Sequence, residues 1–326
     1  MNISSLSANR FYNVNCNKNT NVAKFNMQPV SDCFVKTSNV SFSALSEKEQ
    51  RQKKVDSFVS DMSSRVFSSK FSHRDIANSM QKYVKNVSVK PMSQAPKELL
   101  FSNSLQGLYC EELDFDESTN KFLIPRKNRV FYTRTETLNK DYGNVWCVVN
   151  AAHELTHALQ SEGFVPKQVE LFNNYVEKNK DDVDTALDQI TAVVGTINVV
   201  EENIARPFID LLAQNEERAY NRVQDGLTNV LSWLCKKNGT ENFGAYVREK
   251  VNASINTSEE KHGINIDKSL LFDATINHFE KEIEAYTNEG RAFKKFIGID
   301  SPRALARVQI YQKSIDALTE MKKEIV

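Results

Sequence analysis

The stretch NVWCVVNAAHELTHALQ, residues 144–160, decides how this chain is read. Asn144 is a candidate helix N-cap, and Gly163 followed by Pro166 supplies a stop, so the pattern predicts one helix of about four to five turns. Val145, Trp146, Val148, Val149, Ala151, Ala152, Leu155, Ala158 and Leu159 make it apolar on nearly all sides, which implies burial of the polar groups it carries. Those groups are His153, Glu154 and His157. Residues four apart lie one above the other on a helix, so the two imidazoles can address one ion. Glu154 is set about 100° around the axis from His153, where it can act on water without being a ligand. In that arrangement a zinc ion lowers the pKa of its water, Glu154 takes the proton as general base, and the ion stabilises the oxyanion that forms. Buried polar groups of that kind want a partner, which a metal supplies; the competing reading is a satisfied core pair of histidines.

Outward from this helix the chain divides by pattern. After Asp141 everything reads as helix, with further segments at about 168–179, 183–203, 207–236, 242–255, 268–297 and 302–324. Before it, GLYCEELDF, KFLIPRK and NRVFYTRTETL cluster β-branched and aromatic residues between turn-formers, which predicts a small antiparallel sheet over residues 107–137. Earlier still, SEKEQRQKKVDSFVSDMSSRVF opens with Ser46 and Glu49 at capping-box spacing, so a helix starts there. A weaker helix covers HRDIANSMQKYVKNV, and Pro91 and Pro96 break the chain after it. Residues 1–44, rich in Asn, Ser, Thr and Val without a period, read as a disordered tail. A sorting segment, or an inhibitory arm offering Cys16 or Cys33 to a metal, is the functional alternative for it. The expected organisation is thus a tail at 1–44, N-terminal helices and sheet at 45–140, and a helical zinc-binding region at 141–326. Residues 45–326 form one catalytic unit of α+β, mainly α, class.

Composition narrows the function. Lys plus Arg equals Asp plus Glu at 42 each, so no global field draws the chain to nucleic acid or an anionic membrane. The five cysteines are scattered and in no close pair, which suits a reducing compartment and excludes an all-cysteine zinc knuckle. No apolar run is long enough to span a bilayer, and no signal-peptide core follows Arg10. The expectation is a soluble protein, cytoplasmic or exported without a recognisable signal peptide.

With a small sheet preceding it, HELTHALQ resembles the zincin metallopeptidases. Their metzincin branch has a glycine three residues after the second histidine and a ligand three beyond that, where this chain has Gln160 and Gly163, so the resemblance narrows to the gluzincin branch. It covers residues 107–163 and one later helix. It implies a zinc-dependent peptidase acting on peptides or proteins, with a third ligand from a glutamate on a later helix, often as E-x-x-A. Two segments fit: Glu216 in NEERAY and Glu282 in EIEAY. Glu216 is the first choice, because it lies in the apolar stripe Leu212, Ala219, Val223, Leu227, Val230 and Leu234; Glu282 is the alternative. Tyr220, Tyr286, His262 and His278 are possible oxyanion donors. His278 could also support Glu282 from the preceding turn. The other function carried forward is a helical interaction protein whose zincin core is structural or inactive, motivated by the tail and the long helical half.

Overall fold

The computed structural model describes residues 3–7, 45–95, 107–124, 129–162 and 166–325. In chain order these form β1 (Ile3–Ser7), α1 (Glu47–Ser63), α2 (His73–Met80), β2 (Val87–Pro91), β3 (Gly107–Leu113), β4 (Phe115–Asp116), β5 (Lys121–Phe122) and β6 (Arg129–Thr133). Eight helices follow: α3 (Gly143–Gln160), α4 (Lys167–Lys178), α5 (Val183–Ala213), α6 (Glu216–Gln224), α7 (Val230–Asn238), α8 (Phe243–His262), α9 (Lys268–Ile297) and α10 (Pro302–Lys323). The chain is α+β and mainly helical, as its patterns imply.

The capping box is formed: Glu49 N donates to Ser46 Oγ at 3.3 Å, and Ser46 N donates back to the Glu49 carboxylate at 2.8 Å. From that start α1 buries Val55, Phe58, Val59 and Met62 at helical intervals. These join Val145, Val148, Val149, Ala152 and Leu155 of α3, together with Ala292 and Phe293 near the end of α9, in one core. A second and larger core is built from α4 to α10. Because α9 contributes to both, it ties the two cores together and passes alongside α3.

The main sheet has the order β1-β3-β6-β2 and is mixed rather than purely antiparallel. β3 and β6 are antiparallel, as expected, but β2 pairs with β6 in parallel, Val89 opposite Phe131. β2 escapes the sequence patterns because it is short and ends on Pro91, a residue a strand tolerates at its edge. β1 pairs antiparallel with β3, Ser7 opposite Tyr109. The segment expected as a tail therefore contains a strand at Ile3–Ser7; residues 8–44 lie outside the described residues.

The expected helix boundaries between residues 183 and 236 are corrected, and the helix expected over residues 73–87 ends at Met80. The pattern read as helices 183–203 and 207–236 is instead α5, α6 and α7. Helix α5 runs straight through Pro207. Proline removes the amide that would bond the carbonyl of Asn203, and the Tyr246 hydroxyl on α8 donates to that carbonyl at 3.0 Å instead. Further on the chain breaks at Gln214 and Asn215, and again around Gly226, which adopts φ +96°. The apolar stripe that favoured Glu216 is thus spread over three helices.

Helix α3 begins one residue before the expected cap. Tyr142 holds the cap position in the left-handed region, while Asn144 accepts from the Asn139 amide at 2.7 Å and donates to Val66 O at 2.9 Å. Gly143 is required there: a Cβ would stand 1.8 Å from the Thr137 carbonyl oxygen. At the other end Arg129 of β6 donates to the Ala158 carbonyl, and at 2.7 Å to the Tyr109 hydroxyl, so the helix is pinned to the sheet by a buried guanidinium. Among the described residues no helix is long and apolar enough to cross a membrane.

Candidate metal centre

His153 and His157 occupy successive turns of α3 and are 0% and 5% exposed. Their Nε2 atoms lie 3.0 Å apart. The carboxylate of Glu282 on α9 closes the group: its Oε1 is 3.3 Å from His157 Nε2 and its Oε2 is 3.6 Å from His153 Nε2. One ligand atom from each residue falls within 4.8 Å of the others, and all three residues are buried. The first-choice third ligand, Glu216, is not part of this group. It is the first residue of α6, only partly buried, with burial raising its pKa against the opposing charge of Arg303. Glu282 takes the position because α9 is one continuous 30-residue helix packed along α3.

Glu154, also 0% exposed, takes no part in the three-residue group. Its Oε2 accepts from the Tyr109 amide of β3 at 3.0 Å. Gly107 of β3 lies against this carboxylate: a Cβ there would meet Glu154 Oε1 at 3.4 Å, an ordinary contact, and the Phe131 ring at a tighter 3.2 Å.

The partners behind the histidines complete the geometry. His153 Nδ1 lies 3.0 Å from Glu289 Oε2. His157 Nδ1 donates to Gln160 Oε1 at 3.1 Å. That assignment follows from the amide: Gln160 Nε2 donates to Lys281 O at 3.1 Å and Glu284 Oε2 at 3.2 Å, so Oε1 is left to accept. With a proton on Nδ1, His157 offers the lone pair of Nε2 to the centre of the group. Tyr286 packs edge-on against the His153 ring, centroids 4.5 Å apart, and excludes water from that side.

The electrostatics favour a cation. Burial pushes His153 toward the neutral form, but Glu282 and Glu289, with Glu154 beside them, override it and raise its pKa to about 10. Burial likewise opposes ionisation of Glu282, yet His157 and His153 hold its carboxyl well below the usual carboxylate range. A field that retains a proton among three buried carboxylates also favours a divalent ion, and two imidazoles with a carboxylate match the donor set of catalytic zinc. The residues present therefore fit the metal. Cys110 is not part of the group; burial first, then the Glu154 and Glu111 charges, pushes its thiol up to about 12.

The remaining sequence candidates are placed elsewhere. His278 pairs with Glu201 at 2.9 Å rather than with Glu282. Tyr220 stacks on Phe293, centroids 6.1 Å apart, and His262 is exposed at the end of α8. Cys16 and Cys33 lie outside the described residues. Two residues that sequence reasoning passed over belong to the site: Glu289, two turns after Glu282 on the same face, and Gln160, three after His157 on its face.

No family model, curated protein or solved structure matches this chain.

Proposed function

We propose that the chain is a zinc-dependent metallopeptidase, with His153, His157 and Glu282 holding the ion and Glu154 acting as general base on a peptide or protein substrate. The observation that carries this is the placement of Glu154. It is buried beside the three-residue group without belonging to it, and a backbone amide of β3 orients its carboxylate. A histidine pair serving only as core, or a metal serving only structure, gives no role to a further buried carboxylate held in that way. When bound, zinc supplies a Lewis acid that makes water nucleophilic near neutral pH and polarises a carbonyl. The protein does the rest. Glu154 accepts the proton of the attacking water and returns it to the leaving amine. The Tyr109 amide holds the acceptor oxygen in place, and Tyr286 keeps bulk water away from His153.

The test is digestion of a peptide library by zinc-loaded protein beside Glu154→Gln, which fills the same volume but cannot accept a proton. We expect cleavage by the wild type and a loss of at least about 100-fold in the variant, the usual scale of general-base catalysis, with zinc content unchanged. Zinc retention without cleavage by either protein would point instead to a structural or inactive core in an interaction protein.

A further inference from the structure

Arg51 lies on α1, far in sequence from both histidines, yet a continuous chain of contacts leads from it to His157. Its Nε donates to Glu284 Oε1 at 2.8 Å and its Nη2 to Glu284 Oε2 at 2.9 Å, a bidentate pair between residues 233 apart in sequence. The same Oε2 accepts from Gln160 Nε2 at 3.2 Å, and Gln160 Oε1 accepts from His157 Nδ1 at 3.1 Å. We propose that Arg51 is a positioning residue for the metal ligand His157, acting through Glu284 and Gln160; this rests on the metal-centre reading above.

The physical case is one of fixed orientations. A guanidinium fork holds a carboxylate in one plane, which a lysine or a single hydrogen bond does not. Glu284, thus held, can only accept, so it turns the Gln160 amide nitrogen toward itself. The Lys281 carbonyl reinforces that choice. A flipped Gln160 would set its oxygen against two acceptors. The oxygen is therefore presented to His157, whose Nδ1 must carry the proton, and Nε2 is left as the ligand atom. Side chains are 20% exposed at Arg51 and 11% at Glu284, so the pair is largely shielded from solvent screening. Arg51 also lies 3.7 Å from Glu47, one turn earlier on α1, and a second ion pair between the two helices, Arg291 with Asp56 at 2.8 Å, joins α9 to α1 on the exposed side.

That second pair supplies the control. Zinc affinity, read by competition with a chromogenic chelator, is measured for the wild type, Arg51→Met, Arg51→Lys, Asp56→Asn, Gln160→Leu and the Arg51→Met, Gln160→Leu double variant. Thermal stability is recorded for each. We expect Arg51→Met to weaken zinc binding about 10-fold, the lower end of the range for partners behind a ligand, and Arg51→Lys to recover part of the loss. Asp56→Asn should leave affinity unchanged, and adding Arg51→Met to Gln160→Leu should cost nothing further. Affinity falling equally in Arg51→Met and Asp56→Asn, or additive losses in the double variant, would overturn the relay. If Arg51→Met does not fold, an Arg51→Lys affinity equal to the wild type overturns it as well. A wild type that binds no zinc removes the metal-centre reading itself, so the two failures are distinguishable.

Discussion

At Glu282 a carboxylate with 1% exposure is held between two imidazoles, and its neutral amide analogue would keep the shape while losing the charge. Glu282→Gln should therefore cost zinc affinity severely, by 100-fold or more on the order expected for a lost zinc ligand, whereas Glu216→Gln should leave it at the wild-type value. Chelator competition on both variants checks this, and a loss confined to Glu216→Gln would reverse the assignment. Both glutamates precede an alanine by three residues, and local sequence cannot separate them, because the distinction is made by which helix lies along α3. His153, Glu154 and His157 were legible because four-residue spacing on one helix is a local property. Glu289 was legible only in hindsight: its two-turn offset from Glu282 means something only once Glu282 is known to face His153.

Among the elements, α5 shows how a helix survives a proline. The carbonyl freed at Asn203 is taken by the Tyr246 hydroxyl, so Tyr246→Phe should destabilise the fold by about 0.5–1.5 kcal/mol, the net contribution of one hydrogen bond to a partly buried carbonyl, although no packing is lost. Urea unfolding of the two proteins measures it; equal midpoints would mean that water takes the hydroxyl's place. Gly143→Ala tests the start of α3 in the same way. A methyl group 1.8 Å from the Thr137 oxygen forces the turn before the site helix to move, at about 1–3 kcal/mol. That the helix continues past residue 203 is not legible locally, because the donor that takes the carbonyl freed by Pro207 sits on α8, some forty residues later. By contrast α9 and α10 were read nearly to their ends, where Asp267 and Ser301 cap the N-termini and Gly298 closes α9 with a positive φ. Strand β2 escapes the pattern because it has only five residues and ends on Pro91.

For the molecule as a whole, two cores meet along α3 and α9, and the metal group lies at that seam. Binding an ion there links the cores, so zinc should raise the melting temperature in proportion to the logarithm of its free concentration. Deleting residues 1–44 is expected to change stability little, since among the described residues β1 pairs with β3 alone and the two main cores are built from later segments. A large fall in melting temperature would show that β1 is an integral strand. The most direct test of the account is the zinc content of purified protein, by elemental analysis, beside that of the His153→Ala, His157→Ala double variant. About one zinc per chain in the wild type and none in the variant is the result the account predicts. The same stoichiometry in both, or no metal in a wild type supplied with zinc, would contradict it.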